Sequence, residues 1–362
     1  MLNKIIVSVS NDLHTDQRVA KVCDSLYKNG YEIVLIGREL KNSKNIDRKY
    51  KTKRFKLLFN KGFLFYFEFN LRLFLYLIFT KKNILLANDL DTLLPNFLIS
   101  KIQGKKLIFD SHELFSEIPE LVHKPKIKSF WIHLENWMLP KLKNSYTVCN
   151  SIANYYKKKY NVNFTTIKNL PFKKEVKKGT FNFDTKDKKI ILYQGAINIG
   201  RGLELMIDSM EFLDNHILVI IGFGDIYKDL QQKVSLEKRD KKVVFLGKMA
   251  PKKLQLLTPL ADIGVSVEED LGLNYRFALP NKIFDYIQAE VPILVSDLPE
   301  MRQVITDYKV GEIISKRKPE LVAKQIKNIL EKDFSEKLKI AKQELIWEKQ
   351  ENKLVEIFNT LK

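Results

Sequence analysis

Cysteine occurs only twice in 362 residues, at Cys23 and Cys149, far apart and in no Cys-x-x-Cys pair. That excludes a disulfide framework and a thiolate zinc site readable from sequence, and it suits a reducing compartment. No secretory leader is expected at this start either, because residues 1–4 hold no basic region ahead of a long apolar core and the apolar run at 5–8 is too short. The start is expected to be a mature N-terminus, and the protein cytoplasmic. Zinc-finger spacing, an RNA-binding aromatic signature, internal repeats and a His-Glu-x-x-His cluster are all lacking. An Asp-x-Asp pair does occur at Asp89 and Asp91. With Thr-Leu-Leu-Pro directly after it, Asp91 reads as a helix cap rather than a metal ligand, and neither metal nor cofactor is expected.

What is present supports a large fold. The length suits two domains of ordinary size, and 45% hydrophobic residues exclude a disordered class. Lys and Arg number 62 against 43 Asp and Glu, a formal net charge of +19. Such an excess favours polyanionic partners. Without nucleic-acid signatures, these are phosphorylated small molecules or anionic lipid rather than nucleic acid. Part of the excess is simply a solubilising surface, Lys being scattered over helix faces.

Short β-rich runs alternate with helical periods from end to end, the pattern of parallel α/β domains. Strands are expected at 5–10, 31–37, 84–87, 107–110 and 145–149, with a helix over about 18–29 closed by Gly30. A second series follows at 189–194, 217–221, 243–246, 263–267, 292–295 and 311–314. Between the series, 169–179 is Lys-rich and aperiodic. The predicted fold is α/β, with two Rossmann-like domains facing across a cleft. They are residues 1–170, for the acceptor, and 189–345, for a nucleotide-sugar, with a linker at 171–188 and a helix at 346–362 returning to the first domain. Ligands of such sheets bind at the C-terminal ends of the strands.

Three successive strand ends in the second series carry glycine. YQGAINIGRG at 193–202 follows a strand and precedes a helix, where glycines admit a close ligand and free amides attract an anion. Arg201 at such a terminus opposes the helix dipole unless an anion lies between. Gly222 and Gly224 repeat the device, and Gly247 supplies the third. Further on, ALPNKIFDYIQA at 278–289 opens with Pro280 and places Ile283, Phe284 and Ile287 on one helical face for the core. Asn281, Asp285 and Ala289 fall on the opposite face, where the acid suits a sugar diol.

These stretches resemble the donor domain of glycosyltransferase family 4, the retaining enzymes of the GT-B fold. The family's Gly-Arg-Leu-x-x-x-Lys-Gly pattern falls on Gly195–Gly202, with Ala196 at the arginine position and Arg201 at the lysine position. Its Pro-Asn-Lys-x-Phe-Glu-Tyr form falls on Pro280–Tyr286, with Asp285 in place of Glu. The resemblance implies that Asp285 holds the nucleotide ribose. It also places Gly247, Lys248 and Met249 near the base, with Leu279 and Asn281 beside the donor. The family's Glu-x7-Glu spacing is broken: Phe277 stands eight positions before Asp285, and Glu268, Glu269 and Asp270 lie further upstream. Either Glu268 or Glu269 is a candidate for the missing acid.

In the first series Asp110-Ser-His-Glu113 directly follows a predicted strand, and the family commonly carries a His there, near the donor sugar and acceptor. His112 is therefore a catalytic candidate with Arg201 and Lys282, and Asp110 and Glu113 are candidates for the acceptor side. Asn11, His14, Asp16 and Arg18 follow the first strand, with Asp16 and Arg18 read slightly in favour of capping and starting the helix. The basic block from 48 to 61 leads into FLFYFEFNLRLFLYLIF at 63–79. That run is shorter than the ~20 residues of a span and is broken by Glu68, Asn70 and Arg72, Glu68 and Arg72 forming an i,i+4 pair. A core helix and an interfacial helix are equal readings. The basic block favours docking of 48–79 on the inner membrane surface and a lipid-linked acceptor.

The expected activity is transfer of a sugar from a nucleoside diphosphate donor to a glycan or lipid-linked acceptor, in cell-surface polysaccharide synthesis. Retention of configuration is implied by the resemblance. A nucleotide-sugar epimerase on the same fold and a noncatalytic polyanion-binding protein are the alternatives.

Overall fold

The computed structural model describes residues 3–118, 121, 124–185 and 187–361. Met1 and Leu2, part of the stretch read above as a mature start, lie outside the described residues. The chain divides into two compact units, residues 1–169 with 350–362, and residues 170–349.

The first unit alternates strand and helix: β1 (Lys4–Asp12), α1 (Gln17–Lys28), β2 (Glu32–Glu39), β3 (Lys51–Lys56), α2 (Gly62–Phe79), β4 (Ile84–Asn88), α3 (Leu90–Ile102), β5 (Lys106–Ser111), α4 (Pro125–Met138), β6 (Asn144–Thr147), α5 (Asn150–Tyr160) and β7 (Thr165–Thr166). All seven strands are parallel, in the order β3-β2-β1-β4-β5-β6-β7. The apolar runs of β1 and β4 are buried on both faces, as central parallel strands require. Strand β3 lies inside the basic block, where no strand is expected from pattern. As an edge strand, it pairs while five of its six side chains escape burial.

The second unit holds β8 (Lys189–Gln194), α6 (Leu203–Ser209), β9 (His216–Ile221), α7 (Tyr227–Leu236), β10 (Val243–Gly247), α8 (Pro251–Leu257), β11 (Ile263–Ser266), α9 (Leu273–Arg276), α10 (Asn281–Gln288), β12 (Ile293–Val295), α11 (Pro299–Tyr308), β13 (Gly311–Ile313), α12 (Pro319–Leu330) and α13 (Ser335–Glu344). Its six parallel strands run β10-β9-β8-β11-β12-β13. The stretch before β8 is not a free tether: Phe181 and Phe183 pack against this unit's core, and the Gly179 amide donates to Leu256 O (2.8 Å).

The last helix, α14 (Trp347–Asn359), joins the first unit from Gln350 onward. There Leu354 and Phe358 are buried, the Phe358 ring meets Tyr31 edge-on at 6.1 Å, and the Tyr31 hydroxyl donates to Asn359 Oδ1 (2.9 Å).

The strand orders locate the sites. In each sheet the chain winds outward one way and then the other, so the loops after two adjacent strands part and leave a crevice at the carboxyl edge. Those strands are β1 and β4 in the first unit, β8 and β11 in the second.

Candidate active site in the second unit

At the second unit's crevice the glycines do specific work. The Gly195 amide donates to Ile221 O and the Gly222 amide to Gly247 O, both at 2.9 Å, so the three strand-end loops continue the sheet's pairing beyond its strands. Gly222 has φ +154°, and a Cβ on it would lie 1.8 Å from Gly195 O. Gly224 is as tightly placed, a Cβ there meeting Asn198 Oδ1 at 2.2 Å. Gly202, with φ +69°, caps α6, and its Cβ would meet Val267 O at 2.1 Å. Glycine is therefore needed for close approach of backbone to backbone, ahead of any ligand.

Beside this cradle stands a buried charge cluster. Glu268 leaves the end of β11 fully buried (0% exposed), and its Oε1 lies 2.8 Å from Lys282 Nζ, whose side chain is 8% exposed. Ser266 donates to Glu268 Oε2 (2.8 Å), and Arg201 Nη1 stands 3.7 Å from Oε1. Burial alone would push the Glu268 carboxyl up, but Lys282 and Ser266 hold it below the usual carboxylate range. Lys282 Nζ also sits 4.0 Å from the centroid of the Tyr193 ring, so its charge rests between a carboxylate and an aromatic face. Both carboxylate oxygens of Glu268 are thus engaged, whereas Glu269 is part-exposed and 3.7 Å from Arg317 Nη2. Oε1 of Glu268 faces the two cations and Oε2 the Ser266 hydroxyl.

Helix α10 begins at Asn281 directly after Pro280, buries Ile283, Phe284 and Ile287, and leaves Asp285 half-buried. Asp285 Oδ2 accepts from Gln194 Nε2 (3.2 Å), and Gln194 Oε1 accepts from Thr258 (2.8 Å). The Tyr286 hydroxyl donates to Leu192 O (3.0 Å) and accepts from the Gln194 amide (3.1 Å), locking the helix onto the sheet. Gly195 and Ala196 are exposed at the end of β8, as are Lys248 and Asn281. Met249 and Leu279 are half-buried against the core.

Sequence reasoning missed Arg317. Its Nη1 donates to Glu268 O (3.2 Å) and Ser296 Oγ (2.9 Å), and its Nη2 to Val267 O (3.0 Å), bracing the loop that carries Glu268. Nothing in its Lys-rich neighbourhood signals this. Gln194 and Ser266 were detectable in principle, as polar residues ending apolar buried strands.

The first unit's crevice holds a second network. His112 donates its amide to Asp89 Oδ1 (2.7 Å), while its Nδ1 lies 3.0 Å from Asp89 Oδ2 and its Nε2 2.9 Å from Asp110 Oδ2. Burial works against a charged ring here, but the two carboxylates outweigh it and raise the imidazole well above its ordinary value. Each ring nitrogen of His112 thus faces a carboxylate oxygen, an arrangement that favours the imidazolium. Arg18 clamps Asp110 with Nε (3.2 Å) and Nη2 (2.9 Å) and donates Nη1 to Ile167 O (3.0 Å). Arg18 is therefore buried structure. Asp16 caps α1, accepting from the Val19 amide (3.0 Å) and from Asn11 (3.2 Å). His14 is exposed, and Glu113 is half-buried, with its carbonyl accepting from Ser111 (2.9 Å).

Asp91 does not cap α3. Asp89 occupies the N-cap at φ +59°, while Asp91 is buried in the first turn and accepts from Ser10. Burial and the neighbouring Asp89 push the Asp91 carboxyl up to about 7. Instead of capping α3, the Asp89 side chain accepts from the His112 amide. Among the described residues, no group of three or more His, Cys, Asp or Glu is arranged to hold a metal ion.

Residues 175–345, within the second unit, match the family model described as glycosyl transferases group 1. Over the whole chain the fold is GT-B. Sucrose-phosphate synthase from Thermosynechococcus elongatus aligns at TM-score 0.80 with 13% identity, covering 99% of each chain. Anabaena HepE, solved with UDP and glucose, aligns at 0.75 with 13% identity over 99% of this chain and 100% of its own. A putative UDP-N-acetylglucosamine 2-epimerase from Listeria monocytogenes aligns at 0.66 with 13% identity, over 98% and 95%. No curated protein sequence matches the chain.

Proposed function

We propose that the protein is a retaining glycosyltransferase that takes a sugar from a nucleoside diphosphate donor held at the β8/β11 crevice. The observation that carries this reading is the convergence of Arg201 and Lys282 on Glu268, beside the strand-end glycines of a stretch that matches the group 1 family model. The diphosphate would lie against the amides of 195–202, with Arg201 and Lys282 meeting the charge that grows as the bond from sugar C1 to phosphate oxygen breaks. The acceptor oxygen forms its bond to C1 on the same face, and its proton passes to the departing phosphate oxygen. Asp285 is the ribose ligand, and Gly247–Met249 border the base. No metal or cofactor is required for this chemistry. His112, with both ring nitrogens occupied, organises the first unit's crevice rather than moving a proton.

The acceptor is a glycan or a lipid-linked sugar of cell-surface polysaccharide, and α2 supports the lipid-linked form. The helix buries only the stripe Phe65, Phe69, Leu73 and Leu77, while Leu64, Leu71 and Leu75 are exposed, with Phe63 at 63% and Phe67 at 57%. By length and composition α2 is the one helix among the described residues apolar enough to cross a membrane, yet its buried stripe packs in this unit's core. We read it as lying on the inner membrane surface, with Lys61 and the basic edge strand β3 at the headgroups.

Incubation of the purified protein with a panel of nucleotide-sugars and a membrane extract tests the activity. Transfer with retained anomeric configuration, abolished by Arg201→Ala without loss of fold, is expected. Donor conversion that needs no acceptor would identify an epimerase instead, and near-normal turnover by Arg201→Ala would sink the assignment.

A further inference from the structure

Asp285 follows Glu268 by seventeen positions rather than the eight of the family spacing, and the additional chain has a defined place. It folds back over the 195–202 loop. The Glu269 amide donates to Gly200 O (2.8 Å), and the Tyr275 hydroxyl donates to Ile199 O (3.0 Å). Leu271 and Tyr275 press on Gly200 so closely that a Cβ there would meet their side chains at 2.5 and 3.2 Å. The Tyr275 ring lies 5.6 Å from Arg201 Cζ. Asp270 and Arg276 brace the segment from outside, Nη2 to Oδ2 at 2.8 Å, although so exposed a pair adds little.

Arg201 needs such help. Its long side chain is 28% exposed, its nearest carboxylate is 3.7 Å away, and its Nε is buried without a hydrogen-bond partner. An arginine held this loosely would pay side-chain entropy on closing around an anion. We infer that residues 270–277 form a fixed cap on the donor loop, and that Tyr275 is a positioning residue that holds Arg201 ready for the donor diphosphate. The ring restricts the guanidinium from one side, and the hydroxyl fixes the loop on which Arg201 stands. The inference rests on the donor-site reading above.

A double-mutant cycle read by calorimetric titration with UDP, and with GDP in parallel, tests it. Tyr275→Ala is expected to weaken nucleotide binding about tenfold, the loss of a cation–π contact together with loop order. Tyr275→Phe, which keeps the ring, should lose only about twofold. Arg201→Ala alone should cost roughly a hundredfold, and adding Tyr275→Ala to it should cost less than about twofold more. Tyr275→Leu, which keeps apolar contact with Gly200 but neither ring nor hydroxyl, should behave as Tyr275→Ala at an unchanged unfolding midpoint. Full additivity of the tyrosine and arginine losses, or unaltered affinity in Tyr275→Ala, overturns the inference while leaving the donor site standing. If the unsubstituted protein binds neither nucleotide, the donor-site reading falls, and the role of Tyr275 with it.

Discussion

Removing the ammonium of Lys282 while keeping most of its stem, as in Lys282→Met, leaves Glu268 as an unpaired charge in a closed interior. The carboxylate would retain the Ser266 hydroxyl at 2.8 Å and Arg201 at 3.7 Å, neither of which replaces a buried ammonium at 2.8 Å. Breaking one side of a buried ion pair costs about 3–5 kcal/mol, and the surviving contacts put the expected loss near ~3 kcal/mol. For a unit of this size that lowers the transition by about 6–12 °C. The dependence on pH has a definite sign. In the parent protein the Glu268 carboxyl is held low, so its contribution is present above the unfolded carboxylate value of about 4.3 and is lost as pH falls through the folded one. In Lys282→Met, burial acts with no ammonium to oppose it and the carboxyl rises. The substitution therefore hurts most at neutral pH, and the gap narrows toward about pH 5. Adding Glu268→Gln removes the orphaned charge and should recover more than half of the loss. Scanning calorimetry of the full chain and both variants at two pH values provides the readout. A loss below about 1 kcal/mol at neutral pH, or no recovery in the double variant, refutes the buried-pair reading.

Three further outcomes follow from the geometry. Gly222→Ala places a methyl 1.8 Å from Gly195 O, so it should separate the strand-end loops, cost about 2 kcal/mol or more, and abolish UDP binding in titration; unchanged binding would contradict the close-approach argument. His112→Gln should destabilise the first unit most at or below about pH 6.5, the gap closing as pH rises through the raised folded value; a gap independent of pH in urea titrations would show that the ring is not an imidazolium. Replacing Phe63 and Phe67 together with Ser should reduce co-sedimentation with anionic phospholipid vesicles several-fold without lowering the unfolding midpoint. Equal sedimentation would remove the membrane reading of α2.

The parallel α/β fold was legible because central strands such as β1, β4, β8 and β9 carry apolar runs buried on both faces, and glycine follows β8 and β9 directly. Strand β3 was not, because this edge strand is mostly Lys, Arg and Thr, and its single apolar residue, Phe55, makes no pattern. In the donor half the glycines, Arg201, Lys282 and Asp285 could be read from local spacing, since each lies beside a strand end or on one helix. The role of Glu268 could not. Its partner Lys282 comes from α10 and Arg201 from the loop after β8, and Arg317, 49 positions away, reaches the same loop through its guanidinium. His112 was found from its place after β5, but its two carboxylates come from Asp89 and Asp110 on adjacent strand ends, and only the sheet order brings them to one ring. Helix α2 remained balanced in sequence because a core stripe and an exposed apolar face coexist on it.

The most direct measurement is calorimetric titration of the intact protein with UDP-sugars and GDP-sugars, followed by hydrogen exchange in the presence of the one that binds. Saturable binding, with new amide protection confined to 195–202, 222–224 and the start of α10, is the result expected of a nucleoside diphosphate held at the β8/β11 crevice. Absence of binding, or protection that falls elsewhere and leaves the 195–202 loop unchanged, would contradict it.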